Sequence, residues 1–197
     1  MPEKDLANRF FDAAFTTGNG KAIYYQVTII KFQAKNLDVL SAISRLVFKQ
    51  KIMSTASFEI VSTRVFKTSQ EQLFKGWTDP SILANWWGPK GFTNTFHEYD
   101  LRAGGKWNFT MHGPNGANFD NRCIFIHIEP NKQLVWHHLP GPEFYIVTTF
   151  DAMEEGTLLT FKMVFPDAAM LEKIKEIVVP SNEENFDRLE QELLKMQ

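Results

Sequence analysis

Hydrophobic and polar residues alternate with a period of two along seven segments after residue 57, as expected for β-strands that bury one face. The predicted strands are residues 58–67, 92–100, 106–112, 119–128, 133–138, 144–150 and 157–165. Short segments rich in Gly, Pro and Asn separate the last six. Links of this length join antiparallel neighbours, because a parallel crossover needs about a dozen residues or more. We therefore expect a seven-stranded antiparallel sheet.

Two short helices are predicted between the first and second strands. Ser69 can cap the first helix, and Asp79 can cap the second, with Pro80 at its first position. A longer helix is predicted from Ser181 to the end of the chain. Its apolar stripe consists of Phe186, Leu189, Leu193 and Met196. Because the apolar face of the sheet must be covered, we expect an α+β fold in which a curved sheet wraps around this C-terminal helix.

The pattern divides the chain into two parts. Residues 57–197 are predicted to form the domain, and residues 1–52 an N-terminal extension. Met53-Ser54-Thr55-Ala56 looks like the start of a protein, which leaves two interpretations open. The extension packs on the domain, or it is upstream sequence that the native protein lacks.

Composition excludes several classes of partner. The chain of 197 residues has a net charge of -2 and no basic run, so we do not expect nucleic acid to bind. Its one cysteine, Cys123, is consistent with a reducing compartment and predicts a cytoplasmic location. No segment approaches the roughly 20 apolar residues of a membrane span. The histidines lie outside the usual metal-binding motifs, and we expect neither a metal nor a cofactor.

Four groups of residues occur together in the order and spacing of one family. They are Trp86-Trp87-Gly88-Pro89 with Gly91-Phe92, residues 100–107 (DLRAGGKW), residues 113–116 (GPNG) and Gly156-Thr157. They resemble the family named after the C-terminal domain of the activator of the heat-shock-protein-ninety (Hsp90) ATPase, within the START-like (SRPBCC) superfamily. The resemblance covers residues 58–196 and implies the helix-grip fold, with a hydrophobic ligand or lipid bound in an internal cavity. Residues 1–52 show no counterpart of the co-chaperone's chaperone-binding domain.

The predicted ligand-binding residues are large side chains on the inward faces of the strands, at the helix pair and on the C-terminal helix. They are Trp86, Trp87, Phe92, Trp107, Phe109, Met111, Trp136, His138, Phe144, Ile146, Phe161, Met163, Phe186 and Leu189. Each one taken singly also fits ordinary core packing, so the prediction rests on the set. No catalytic residue is assigned, because the sequence lacks a nucleophile motif and Cys123 opens an apolar run.

The sequence favours a binding protein for a small apolar molecule over an enzyme. One alternative is an enzyme of the polyketide cyclase or hydrolase type, with an inward polar residue such as His138 as proton acceptor. Another is a protein-interaction module of co-chaperone type with a stress- or chaperone-linked role, or a homodimer formed through a sheet edge. Contact with a chaperone is the least favoured of these partners.

Overall fold

The computed structural model describes residues 58–139 and 142–196. The predicted extension, residues 1–52, lies outside the described residues. The elements in chain order are β1 (Glu59–Phe66), α1 (Gln70–Thr78), α2 (Pro80–Trp86), β2 (Thr93–Tyr99), β3 (Lys106–His112), β4 (Asn118–Glu129), β5 (Gln133–His138), β6 (Phe144–Met153), β7 (Gly156–Val164) and α3 (Ala168–Lys195).

The strands form one antiparallel sheet in the order β1-β7-β6-β5-β4-β3-β2. Strands β2 to β7 follow one another as a meander, and β1 pairs with β7, with Glu59 opposite Val164. This confirms the predicted seven-stranded helix-grip architecture. Register shifts in β2, between Phe96 and Glu98, and in β4, between Phe125 and His127, mark β-bulges that bend the sheet.

Both short helices begin where the sequence predicts. The Ser69 side chain accepts a hydrogen bond from the Gln72 backbone N–H at 3.2 Å. Asp79 Oδ1 accepts one from the Ser81 backbone N–H at 3.0 Å, and Pro80 follows it as the first helical residue. These caps satisfy N–H groups that have no partner inside the helix.

The C-terminal helix differs from the prediction, because it begins at Ala168 rather than at Ser181. Asp167 caps it by accepting a hydrogen bond from the Met170 backbone N–H at 2.8 Å. Pro180 lies inside the helix, where its ring nitrogen cannot donate to the carbonyl of the preceding turn. The Ser181 hydroxyl donates to the Ile177 carbonyl at 2.7 Å in that turn. None of the described helices is both long enough and apolar enough to span a membrane.

The C-terminal half of α3 packs tightly against β1, β7 and α1. Phe186 makes edge contacts with Phe66 and Phe161, at centroid distances of 6.0 and 6.3 Å. At Gly76 on α1, an added Cβ would lie 3.2 Å from the Leu189 and Leu193 side chains, so glycine permits the close approach of the two helices. The core therefore lies between the concave face of the sheet and α3.

Candidate ligand-binding site

A cluster of aromatic rings fills the middle of the interior. Trp77 and Trp86 on the two short helices contact each other at 4.8 Å between centroids. Trp87 contacts Trp107 of β3 at 5.4 Å, and Trp107 contacts Trp136 of β5 at 6.0 Å. Short contacts of this kind, mostly edge-on or tilted, are the geometries that aromatic quadrupoles favour. The cluster joins the helix pair to the sheet.

The predicted ligand-binding residues separate into two groups. The fully buried ones belong to the aromatic cluster or to the core around it: Trp86, Trp107, Phe109, Trp136, Ile146, Phe161, Met163, Phe186 and Leu189. Trp87, Phe92, Met111 and Phe144 are half-buried, and His138 is buried. The Trp86 indole N–H donates to the Gly76 carbonyl at 2.9 Å, which gives this tryptophan a structural partner.

Three of the half-buried residues, Phe92, Met111 and Phe144, lie at one end of the interior, which we call the open end. It consists of Phe92, Met111, Phe119, Asn121, His138 and Phe144. Cα partners across the sheet are Met111 with Phe119 and His138 with Phe144. Phe92 contacts Phe119 at 6.1 Å between centroids, and Phe119 remains 50% exposed although it is on the inward face. Apolar side chains are therefore only partly covered at this end.

The N-terminal half of α3 contributes further half-buried apolar side chains. Met170, Leu171, Ile174 and Val178 pack against the core cluster without being fully covered. On the other side of this helical segment, Ile177 is 69% exposed. This half of the helix is thus less completely packed than the half that carries Phe186 and Leu189.

His138 is the buried polar residue of the open end. Its ring stacks on Phe144 at 4.6 Å, Nδ1 lies 2.7 Å from the Pro142 carbonyl oxygen, and Nε2 lies 3.0 Å from Asn121 Oδ1. The carbonyl can only accept, so Nδ1 donates. Burial lowers the pKa of His138, although the carbonyl oxygen acts in the opposite direction. Nδ1 is therefore engaged by a carbonyl oxygen, and Nε2 lies beside the side-chain amide of Asn121.

Five buried polar atoms have neither a hydrogen-bond partner nor an ion pair within the described residues. They are Trp77 Nε1, Asn94 Oδ1, Trp107 Nε1, Thr148 Oγ1 and Asn185 Oδ1. Thr148 is on the inward face of β6, between Ile146 and Phe150, and Asn185 is on the buried side of α3. Such atoms are rare in folded proteins and call for a water or ligand partner.

The arginines that reach the interior from α3 and β1 are occupied by other groups. Arg188 donates to the backbone carbonyls of Asn85, Gly88, Pro89 and Phe92, so it ties α3 to the segment that carries Trp87. Arg64 forms ion pairs with Glu183 at 2.7 Å and Asp187 at 2.6 Å.

Cys123, His97 and His112 are each buried or bonded to a protein group. Burial raises the pKa of the Cys123 thiol, which makes a thiolate nucleophile unfavourable. His97 and His112 bond to Thr110 and Thr95, at 2.8 Å each. Among the described residues, no group of three or more His, Cys, Asp or Glu side chains could hold a metal ion.

Trp77, Thr148, Asn121 and Asn185 are not among the residues predicted from the sequence. Thr148 could have been found, because it is the one polar residue among the alternating inward positions Phe144, Ile146 and Phe150. Asn185 precedes Phe186 in the apolar stripe of the last helix, a weaker signal. The pairing of Asn121 with His138 depends on the β4–β5 register and has no signal in the sequence.

Comparisons with known proteins agree with this architecture. The model of the family described as Activator of Hsp90 ATPase homolog 1-like protein matches residues 67–194. A solved structure from Nitrosomonas europaea is 20% identical, with a TM-score of 0.67 over 72% of this chain and 97% of that chain. One from Rhodobacter sphaeroides is 22% identical, with a TM-score of 0.66 over 71% and 95%. The AHSA1-like protein from Aeromonas hydrophila is 18% identical, with a TM-score of 0.56 over 70% and 93%. At these identities the structures show a shared fold. No curated protein matches the sequence.

Proposed function

The chain belongs to the Activator of Hsp90 ATPase homolog 1-like family, and on this premise we propose that it binds a small hydrophobic molecule between the concave face of the sheet and α3. The observation that carries the proposal is a group of buried polar atoms without hydrogen-bond partners among the described residues, in a largely apolar interior: Trp77 Nε1, Trp107 Nε1, Thr148 Oγ1 and Asn185 Oδ1. A buried donor or acceptor that lacks a partner costs about 1–3 kcal/mol. A bound molecule with polar atoms would supply the missing partners.

The open end is the proposed entrance. Met111 and Phe144 are half-buried there and Phe119 is 50% exposed, whereas the tryptophans of the aromatic cluster, apart from the half-buried Trp87, are fully buried. Partly covered apolar surface next to a few oriented polar groups is typical of ligand sites. The half-buried face of α3 that includes Ile174 and Val178 would complete the wall when a ligand is present.

Binding is favoured over catalysis at this site. A general base needs a free nitrogen or carboxylate within reach of the proton that it removes. His138 is the buried titratable group of the open end; the Pro142 carbonyl already occupies its Nδ1, and the Asn121 side-chain amide lies against its Nε2. The Cys123 thiol is buried as well. These contacts support a role for His138 in shaping the entrance.

The family name refers to a chaperone ATPase, but no described feature independently favours a chaperone partner. A chaperone-linked role therefore stays a prediction, as do a homodimer and a cytoplasmic location.

Native mass spectrometry of the full chain, purified from its own cells, tests the proposal. We expect a bound mass of small-molecule size that organic extraction removes. Phe144→Ala should lower its occupancy, because Phe144 lies at the open end. Val61→Ala is the matched control, since Val61 is 47% exposed on the outward face of β1 and should leave occupancy unchanged. A protein without bound mass, whose unfolding temperature does not shift with any of a panel of apolar compounds, would refute the proposal. If that empty protein captures a chaperone stoichiometrically, a protein-interaction function would replace the proposed ligand binding.

A further inference from the structure

We propose that the ligand is a neutral molecule whose oxygen atom accepts hydrogen bonds from Trp77 Nε1 and Thr148 Oγ1. This inference rests on the proposed function and specifies the chemistry of the ligand. Both side chains are at least nine-tenths buried, Trp77 being 1% exposed and Thr148 0% exposed. Neither polar atom has a hydrogen-bond partner within the described residues.

The two side chains border the same part of the interior. The Trp77 ring contacts Phe161 at 5.5 Å and Phe150 at 6.1 Å between centroids. Thr148 is the Cα partner of Phe161 across the β6–β7 pair, and it lies two residues before Phe150 on the same face of β6. Trp77 therefore packs on two of the residues that surround Thr148. Indole offers a donor only, and a hydroxyl can donate as well as accept.

These two groups favour oxygen as the ligand atom. A carbonyl oxygen has two lone pairs and can accept from both donors at once. A ligand hydroxyl can accept from the indole and donate to the threonine. A pure hydrocarbon would leave both protein groups unpaired, so it would bind more weakly than an oxygen-bearing molecule of the same shape.

The charges around the interior exclude an anionic ligand. None of the buried side chains in the two described ranges is a Lys, Arg, Asp or Glu. Arg64 is held by Glu183 and Asp187, and Arg188 is held by backbone carbonyls. A carboxylate would have to lose its hydration without gaining a cation, which is costly in an apolar interior. Ketones, esters and alcohols with an apolar body fit these limits, whereas fatty-acid carboxylates do not.

The test uses three probes of nearly the same shape: 2-acetylnaphthalene, 2-ethylnaphthalene and 2-naphthoate. Titration calorimetry of the full chain gives the affinities, and ¹⁵N–¹H spectra report the indole N–H signals. We expect the ketone to bind roughly fivefold or more tightly than the hydrocarbon, which is what one net hydrogen bond supplies. The naphthoate should bind more weakly than either. The ketone should shift the Trp77 indole signal, and the Trp86 signal is the internal control, because its N–H is already bonded to Gly76.

Two threonine variants form a matched pair for the same titrations. Thr148→Val removes the unpartnered hydroxyl at nearly constant shape and should reduce the preference for the ketone. Thr157→Val is the control, since Thr157 is equally buried but its hydroxyl donates to the Thr68 carbonyl at 2.8 Å. It should leave the ratio of ketone to hydrocarbon affinity unchanged.

The outcomes separate failure of this inference from failure of the proposed function. Equal affinity for ketone and hydrocarbon, without a selective shift of the Trp77 signal, would overturn the oxygen-acceptor inference and leave the binding function standing. Preferential binding of the naphthoate would overturn the neutrality of the ligand. If no probe binds and the protein carries no bound mass from its cells, the proposed function itself fails.

Discussion

Arg188 gives the sharpest test of how the C-terminal helix is held over the interior. Its guanidinium donates to four backbone carbonyls in the segment from Asn85 to Phe92, including Pro89 at 2.9 Å and Phe92 at 3.0 Å. Hydrogen bonds to a charged donor contribute about 1.5–3 kcal/mol each when they are buried. Because Arg188 is half-buried and water can replace part of this network, we expect Arg188→Ala to lower the free energy of unfolding by about 2–4 kcal/mol.

The geometry of the Arg188 side chain predicts the order in which three variants lose stability. Arg188→Lys keeps the charge but loses the planar fork, so it should cost about 1–2 kcal/mol. Arg102→Ala is the control, because the Arg102 side chain is 71% exposed and its ion pair with Asp100 is a surface pair. Such pairs contribute about 0–1 kcal/mol.

Urea unfolding followed by tryptophan fluorescence measures all three variants. We expect the urea midpoint of Arg188→Ala to lie clearly below that of Arg102→Ala, with the midpoint of Arg188→Lys between them. If Arg188→Ala and Arg102→Ala unfold at the same urea concentration, the four carbonyl contacts do not anchor the helix.

Three further predictions concern stability and use the same unfolding assay. Thr148→Val should leave the free energy of unfolding unchanged or raise it by up to about 1 kcal/mol, whereas Thr157→Val should lower it by about 1 kcal/mol. If Thr148→Val loses as much stability as Thr157→Val, the Thr148 hydroxyl is not unpaired. Burial lowers the pKa of His138 in the folded protein, so acidification protonates the unfolded chain first. Stability should therefore fall as the pH drops below about 6.5 towards the folded-state pKa, and His138→Gln should lose less between about pH 7.5 and about pH 5.5; an equal loss would refute the assignment. Gly104→Ala should cost about 1 kcal/mol from its φ of +80° alone, since an added Cβ meets nothing within 4 Å. Gly156→Ala should cost about 3 kcal/mol or more, because its φ is +142° and the added Cβ would lie 2.1 Å from the Phe66 carbonyl oxygen at the end of β1. Similar losses of stability at both glycines would show that this clash is relieved.

The sheet could be predicted from the sequence because its signals are local. Strands β3 and β5 have the predicted bounds, and the remaining strands differ by one to three residues at an end. Each strand is bounded by turn residues and alternates in period two, and short links leave few topologies open. The caps at Ser69 and Asp79 are equally local, since they depend on one side chain and an N–H two or three residues away.

The start of the C-terminal helix could not be placed in the same way. Pro180 followed by Ser181 has the signature of a helix start, and a proline in a helix interior costs about 3 kcal/mol. Tertiary packing overrides this local signal. Met170, Leu171, Ile174 and Val178 pack against the core, and that burial stabilises the roughly three helical turns before the proline.

The sequence predicts which face of the sheet carries the candidate site, but not how closely the side chains on that face are packed. Alternation placed Trp107, Phe109 and Met111 on one face, and the structure puts all three on the concave side. It could not show that Trp107 and Phe109 are fully packed while Met111 is half-buried. That difference arises from Trp87, which contacts Trp107 from the helix pair, and from the open end around Phe119.

The unpartnered polar atoms also bear on why this interior is not simply a hydrophobic core. At position 148 valine would fill nearly the same volume, and β-strands favour it at least as much as threonine. At position 77 phenylalanine would keep most of the ring contacts and remove the unpaired N–H. Each polar atom left without a partner costs free energy that the apolar residue would not. Folding alone therefore does not account for the hydroxyl of Thr148 or the indole N–H of Trp77, and a bound oxygen atom that satisfies both would.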